Sequence, residues 1–327
     1  MAKPLINADL LGFSKKSGIP FSQIVELFVL LFKQGSLVNK EVIQSTGVSL
    51  QSLTLIKKEL SPMFEKIVPQ TMLSEYGKKV AQTLATLSDS RAEINLDELN
   101  NITLYKTIKD IRDQSQVHDK REFDQFAATS ETITKRALYM SKNFDLLGKR
   151  VLFLGDDDYT SVAVSILNEA DQVSVFEIDG LVINSIKTHA AGFNLPIKII
   201  KGDVKDNFPV DLKSQFDVVF TDPPYTEDGI KIFLSRAIQA LDFHNKAARI
   251  YFCYGNSELS REKFLKIQKV VTDSGLMIRY SLDRFNVYKG AESIGSSSNL
   301  YVCDVTPSTE PLVKGQYNGK SIYTHQN

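Results

Sequence analysis

The second half of the chain alternates short apolar runs with longer stretches whose spacing predicts helices. Apolar runs at RVLFLG, QVSVFEID, IKIIKGD, FDVVFTDPPY and ARIYFCYG each predict a buried β-strand. Helices are predicted over 160–170, 180–191, 228–241 and 260–274. Continuous apolar strands connected by helices are typical of a mostly parallel, doubly wound α/β sheet. The last two apolar runs, LMIRYSLDRFNVY and SNLYVCDV, follow each other without a helix and predict an antiparallel edge.

The start of the chain has a different order of patterns. Three helices are predicted within FSQIVELFVLLFKQGS, NKEVIQSTGV and SLQSLTLIKKEL, followed by a hairpin and a closing helix. This is the order of an α+β winged-helix domain, whose third helix can read DNA. That helix offers only Lys57 and Lys58 as cations, and Met1–Ser90 contains no arginine. A packing or dimerisation module is therefore favoured, with DNA binding as the alternative.

These patterns divide the chain into four predicted segments. They are a winged-helix-like domain over 1–87, a linker with a helix over 88–115, an α/β catalytic domain over 116–305 and a tail over 306–327. The tail is polar and contains Pro, Gly and Ser, so we expect it to be flexible.

Composition narrows the classes of function. The formal net charge is zero, which gives no global basic excess for nucleic acid. Cys253 and Cys303 lie in apolar runs and are predicted to be buried thiols, and no residue spacing indicates a metal site. The chain shows neither a signal-peptide core nor a run of about 18 apolar residues, so we expect a cytoplasmic protein without a membrane segment.

Acidic residues follow the predicted parallel strands, at the edge where such sheets bind ligands. The first strand ends at Gly155, and three aspartates come next. Glu177 follows the second strand, about 20 residues after that glycine, where an acid can accept hydrogen bonds from ribose hydroxyls. Asp203 follows the third strand and is a candidate for an adenine amino group, or alternatively a helix cap.

The fourth strand ends in the motif DPPY. Two prolines fix an extended backbone that has no N–H donors. The Asp222 carboxylate and the carbonyls around Pro223 can accept hydrogen bonds from an amine, and Tyr225 can lie against it. The motif therefore predicts a holder for a nitrogen nucleophile; a rigid structural turn is the alternative.

Taken together, GDDD, DPPYT and the upstream FDQFAATSETITKRA resemble the branched-chain polyamine synthases, the N4-bis(aminopropyl)spermidine synthases, over about Ile19–Asp304. The resemblance implies a Rossmann-like catalytic domain after a winged-helix-like domain, decarboxylated S-adenosylmethionine as co-substrate, a polyamine acceptor such as spermidine, and a homodimer. It also carries over Asp124 and Gln125 as residues that fold over the donor.

An acidic turn suits such a donor, because decarboxylation removes the carboxylate and leaves an ammonium group. Asp156 is expected to meet that ammonium, and Asp158 to accept the proton of the attacking amine, unless it only caps the next helix. Asp157 and Asp222 would orient the acceptor. Glu292, in a Gly- and Ser-containing loop, is expected to be a solvated acid rather than an acceptor ligand.

Two other functions are compatible with parts of the sequence. An amino-methyltransferase acting on nucleic acid would explain DPPY, but an acidic cleft repels phosphate. A winged-helix regulator with a polyamine-sensing domain would explain the N-terminal order, but the absence of arginine there weighs against it.

Overall fold

The N-terminal region folds around an apolar core that also includes Phe144 and Leu147. A computed structural model describes residues 7–67, 69–114, 127–255, 261–289, 296–319 and 322–323. The first elements are α1 (Ala8–Ser17), α2 (Phe21–Gln34), β1 (Leu37–Val38), α3 (Asn39–Thr46), α4 (Leu50–Glu59), β2 (Gln70–Thr71) and α5 (Glu75–Ala92). The hairpin predicted after the third helix is present as an antiparallel bridge between Phe64 and Leu73. Strand β2 pairs antiparallel with β1, a short strand before α3 that was not predicted, and helix α1 was not predicted either. The winged-helix assignment itself stays a prediction.

Helix α4 carries two lysines, of which Lys58 is exposed and Lys57 is held by the rest of the domain. Lys57 donates from Nζ to the Gln70 carbonyl and to Thr71 Oγ1, both at 3.1 Å, so it holds the ribbon against the helix. Burial lowers the pKa of Lys57. Leu50 is exposed at the start of the same helix. This surface therefore offers few groups that could contact DNA phosphates.

The second region is an α/β unit built on seven strands. Its elements are α6 (Thr103–Gln114), α7 (Ser130–Lys142), β3 (Arg150–Leu154), α8 (Thr160–Leu167), β4 (Gln172–Glu177), α9 (Gly180–Gly192), β5 (Ile197–Lys201), β6 (Val218–Thr221), α10 (Glu227–Ala240), β7 (Arg249–Gly255), α11 (Arg261–Asp273), β8 (Met277–Val287) and β9 (Ser297–Asp304). Among the described residues, no helix is long and apolar enough to cross a bilayer.

The strand order is β5-β4-β3-β6-β7-β9-β8. The first five strands pair in parallel, whereas β9 runs antiparallel to both of its neighbours. The predicted mostly parallel sheet with an antiparallel edge is confirmed. Chain order reverses between β3 and β6, so the turns after these two strands lie side by side. Cys253 and Cys303 are buried free thiols, as predicted.

Two predicted boundaries are wrong. The linker does not begin at residue 88, because α5 continues to Ala92 and Arg91 Nε donates to the Ser141 carbonyl at 2.9 Å. The α/β region does not begin at residue 116, because α6 already packs Leu104 and Ile108 into the core of the sheet. A polar surface made these segments look like a linker, but their apolar sides are buried.

The described part of the tail is packed, contrary to the prediction of a flexible segment. Arg236 Nη2 donates to the Gly315 carbonyl at 2.7 Å, and the Tyr317 backbone N–H donates to the Lys205 carbonyl at 2.7 Å. Further along, Thr226 Oγ1 donates to the Ile322 carbonyl at 2.7 Å. Contacts with distant residues fix a segment whose own composition predicts no regular structure.

Candidate active site

A cleft opens at the carboxyl edge of the sheet, where β3 and β6 are neighbours. It is lined by Gly155, Asp157, Phe176, Glu177, Ile178, Gly202, Asp203, Val204, Asp222, Pro224, Phe233 and Tyr323. Four carboxylates are present, and none of the described lining residues is basic. The cleft is therefore suited to a cationic ligand with apolar parts.

The turn after β3 has the backbone that its glycine predicts. Gly155 has φ +72°, a conformation that favours glycine, and its N–H donates to the Phe176 carbonyl at 2.9 Å. Tyr159 also lies in the left-handed region, with φ +63°, and α8 begins only after it. These two residues bracket the three aspartates and send their carboxylates in different directions.

Asp156 points at the helix rather than into the cleft. Its Oδ1 accepts from the Ser161 N–H at 3.1 Å, its Oδ2 accepts from Ser161 Oγ, and it does not line the cleft. The expectation that Asp156 meets the donor's ammonium is therefore corrected to a role at the start of α8. The sequence makes Asp158 the candidate cap of α8. Because Tyr159 is left-handed and α8 begins only at Thr160, it is Asp156 that accepts from the Ser161 N–H in the first turn of this helix.

Asp157 is the aspartate of the turn that lines the cleft. Within the described ranges its carboxylate has no hydrogen-bond partner, while its carbonyl accepts from Arg112 Nη1 at 3.4 Å. Burial raises the pKa of Asp157 well above its usual value; Asp158, Glu177 and Asp222 raise it further, and Arg112 opposes them. A partly buried carboxylate with a raised pKa is suited to accept a proton near neutral pH.

Asp158 is fully engaged with protein groups. Its Oδ1 accepts from the Ala128 N–H at 2.7 Å, and its Oδ2 accepts from Arg136 Nη1 at 2.8 Å. Its side chain is 4% exposed and does not line the cleft. Because both oxygens already accept charged or backbone donors, Asp158 is less available than Asp157 to take a proton from a ligand.

Asp222 lies opposite, in the DPPY turn after β6. Its Oδ2 accepts from Arg136 Nη2 at 2.6 Å and from Tyr288 Oη at 2.7 Å, and its side chain borders the cleft. Burial raises the pKa of Asp222, whereas Arg136 and the Tyr288 hydrogen bond lower it. Arg136 therefore joins Asp158 and Asp222, and with them the two motif turns.

The remainder of DPPY builds a hydroxyl-rich wall. Tyr225 Oη lies 3.2 Å from Tyr288 Oη and 3.5 Å from Asp222 Oδ1. Burial and the Asp222 charge raise the pKa of both phenols, so both stay protonated. Pro224, rather than the predicted Pro223, lines the cleft. Tyr225 and Tyr288 themselves do not line the cleft but contact the Asp222 carboxylate that does, so the predicted contact of Tyr225 with an amine stays a prediction.

Glu177 is fixed at the opposite side of the cleft by backbone donors. Its Oε2 accepts from the Asp156 N–H at 2.9 Å, and its Oε1 accepts from the N–H groups of Ile178 and Asp179, both at 2.8 Å. Burial raises the pKa of Glu177, and these hydrogen bonds lower it. A carboxylate oxygen has further lone pairs, so Glu177 can still accept from a diol.

Asp203 completes this side of the cleft with two aromatic rings. Its Oδ1 accepts from the Lys205 N–H at 2.8 Å, so the alternative of a local cap also holds. Phe176 and Phe233 also line the cleft, Phe176 next to Gly202 and Phe233 next to Gly155. A Cβ at Gly202 would lie 2.4 Å from the Phe176 ring, so only glycine lets the chain pass there.

Three contributors were missed by the sequence analysis. Arg136 lies on a helix face with the fully buried Ile133, Ala137 and Met140, and a single cation on an apolar face is the signal that could have identified it. Tyr288 and Tyr323 have no such signal, because only tertiary packing brings them to the site. Asp124, Gln125 and Glu292 lie outside the described residues, so their predicted roles stay predictions.

The sheet order and the acid-lined cleft at its switch point define an α/β protein of the methyltransferase-like type. A family model gives the more specific result: the model for the branched-chain polyamine synthase A C-terminal domain matches residues 104–313. The chain belongs to the branched-chain polyamine synthase family. This match begins at α6, where the sheet region of the structure begins as well.

Individual relatives agree with this membership. The protein MJ0675 of Methanocaldococcus jannaschii is 33% identical over 84% of this chain and 71% of its own length. An N(4)-bis(aminopropyl)spermidine synthase from the same organism is 36% identical over 52% of this chain and 48% of its own length. The match thus spans about half of that synthase.

A solved structure shows the same fold. The Thermus thermophilus branched-chain polyamine synthase, crystallised with N4-aminopropylspermidine and 5′-methylthioadenosine, superposes with a TM-score of 0.61 and 19% identity, over 97% of each chain.

Proposed function

We propose that this protein transfers aminopropyl groups from decarboxylated S-adenosylmethionine to an amine nitrogen of a polyamine, with spermidine as the first acceptor to test. The observation that carries the proposal is the charge of the cleft. Asp157, Glu177, Asp203 and Asp222 line it, and no described lining residue is basic. A donor with a carboxylate would find repulsion there, whereas an ammonium group would find attraction.

The donor fits the side of the cleft formed by the turns after β4 and β5. Glu177 would accept from the ribose hydroxyls, and Asp203 from the adenine amino group. Phe176 and Phe233 would pack against the adenosine and the methylthio group. This orientation directs the aminopropyl arm towards Asp157 and Asp222.

The acceptor fits between the GDDD and DPPY turns. The amine nitrogen attacks the propyl carbon next to the sulfonium; a C–N bond forms, the C–S bond breaks, and methylthioadenosine leaves with the bonding electron pair. The proton of the attacking amine passes to a carboxylate. We assign this step to Asp157 rather than to Asp158, because Asp157 faces the cleft and both oxygens of Asp158 are engaged. Holding the two reactants in line supplies much of the acceleration.

One experiment separates this reaction from methyl transfer. The protein is incubated with spermidine and either decarboxylated or ordinary S-adenosylmethionine, and products are identified by mass spectrometry. We expect methylthioadenosine and a branched polyamine with the decarboxylated donor only. Methylthioadenosine should be lost with Asp157→Asn and retained with Asp211→Asn, a matched change at an exposed acid outside the cleft. Adenosylhomocysteine as the only product would refute the proposal.

The proposal includes a homodimer in the cytoplasm, as the resemblance to the family implies. Size-exclusion chromatography with light scattering measures the assembly directly. A mass close to twice the chain mass of 36.7 kDa is expected. A monomer at micromolar concentration would contradict this part alone and would leave the reaction untouched.

A further inference from the structure

Arg136 is a fully buried cation at the centre of the site. Its Nη1 donates to Asp158 and its Nη2 to Asp222, at 2.8 and 2.6 Å. Its Nε donates to Asn286 Oδ1 at 2.8 Å, and Tyr288 Oη lies 3.2 Å from Nη2. The guanidinium also lies 5.2 Å from the centroid of the Phe220 ring. All three guanidinium nitrogens thus have polar partners, and the group has no room to move.

The residues that Arg136 joins come from separate parts of the chain. Asp158 follows β3, Asp222 follows β6, and Arg136 itself belongs to α7, ahead of both strands. Neither turn has another described cation bonded to its carboxylates. A planar guanidinium can hold two carboxylates at a set separation, one on each of its two terminal nitrogens. A lysine ammonium has only one nitrogen and cannot do this.

Two buried aspartates that accept from the same guanidinium are like charges, which need a counter-charge to be stable in a buried site. We propose that Arg136 is a positioning residue that fixes the GDDD turn against the DPPY turn and supplies the counter-charge for Asp158 and Asp222. The effect of Arg136 on catalysis rests on the proposed function. Its effect on the two carboxylates can be measured without any ligand.

The titratable side chains that face Asp158, Asp222 and Arg136 are Asp157, Tyr225, Cys253 and Tyr288. Arg112 is a further cation nearby, but it donates to the carbonyl of Asp157 and not to a carboxylate of either turn. Removing the Arg136 guanidinium therefore leaves two buried carboxylates without a described cation bonded to them.

The first test needs no ligand. Aspartate carboxyl carbons are labelled with carbon-13 and titrated by NMR, with Asp222→Asn to assign the signal of Asp222. In Arg136→Gln, the Asp222 carboxylate should titrate about 1–3 pH units higher than in the wild type, because the guanidinium lowers its pKa. Unchanged titration in that variant would overturn the proposal.

The control is a second buried arginine that joins two aspartates elsewhere. Arg249 is 3% exposed, and its Nη1 and Nε donate to Asp145 and Asp304, both at 2.9 Å, at the start of β7 and away from the cleft. Arg249→Gln should weaken the fold without moving the titration of Asp222. If Arg136→Gln fails to fold, Tyr288→Phe removes one hydrogen bond to Asp222 and should raise the titration of Asp222 in the same direction.

The second test measures transfer. In Arg136→Lys the charge remains and the fork is lost, so we expect kcat to fall about 10–100-fold. In Arg136→Gln the charge is lost as well, so the acidic limb of the kcat profile should move to higher pH, and it should stay in place in Arg249→Gln. If activity falls only in proportion to the loss of folded protein and the acidic limb does not move, Arg136 has a structural role only. If the wild type transfers no aminopropyl group, the proposed function fails while the ligand-free titration still decides the role of Arg136.

Discussion

Replacing Asp157 by asparagine removes one negative charge from the cleft and keeps the shape of the side chain. Asp158, Glu177 and Asp222 act on this carboxylate as like charges, whereas Arg112 opposes them. Arg136 neutralises about one of these three negative charges, and Arg112 offsets about one more. About one negative charge therefore stays uncompensated. A unit charge at about 5 Å in an effective dielectric of about 20 is worth roughly 3 kcal/mol. Solvent reaches part of the side chain, so we expect Asp157→Asn to raise the free energy of unfolding by about 1–2 kcal/mol.

The change in the free energy of unfolding caused by Asp157→Asn depends on pH. The raised pKa means that the folded protein holds the proton of Asp157 more tightly than the unfolded chain does. The penalty is absent below the unfolded-state pKa of about 3.9, grows with pH between the unfolded-state and the folded-state pKa, and is complete above the folded-state pKa. The gain in stability from Asp157→Asn should consequently be larger at pH 8 than at pH 5, while aminopropyl transfer falls by about 10²–10⁴-fold.

Urea unfolding at the two pH values measures the effect, and the neighbouring residue supplies the control. Asp158→Asn is the same chemical change one position along, but it breaks a buried ion pair with Arg136 and should cost roughly 3 kcal/mol. The two variants are thus predicted to change stability in opposite directions. An Asp157→Asn variant that is less stable than wild type at pH 8 would refute the charge assignment. Full transfer activity in that variant would refute its role as proton acceptor.

Three further results are expected. Gly202→Ala places a Cβ 2.4 Å from Phe176 and should weaken donor binding at least fivefold, or by about 1 kcal/mol. Calorimetry measures this affinity. Gly192→Ala is the control, because a Cβ there has nothing within 4 Å, and it should leave donor binding unchanged. Transfer should decline on the acid side at a pH above the ordinary aspartate value of about 3.9, because the pKa of Asp157 is raised; a profile from pH 4 to 9 checks this. Gel shifts with duplex DNA should show no salt-sensitive binding, because Lys57 is already held by the β-ribbon; binding that weakens with salt would contradict this.

The sequence predicted much of the sheet because its signals are local. Apolar runs correspond to β3, β4, β5, β6 and β7 within a few residues, and the acids at their ends fall at one edge, since parallel strands share a direction. Glu177, Asp203 and Asp222 line the cleft as their positions indicated. The same local signals failed at the tail and at α6, where distant contacts decide the structure.

The sequence by itself determined that three aspartates follow Gly155, but it could not say what each of them does. Identical side chains carry no signal that distinguishes them. The tertiary structure decided: Tyr159 in the left-handed region directs Asp156 to Ser161, Asp157 into the cleft and Asp158 to Arg136. The physical reason is that the orientation of each carboxylate depends on the backbone torsion angles of the turn and on Arg136, which lies on another helix. Neither follows from the spacing of residues along one turn.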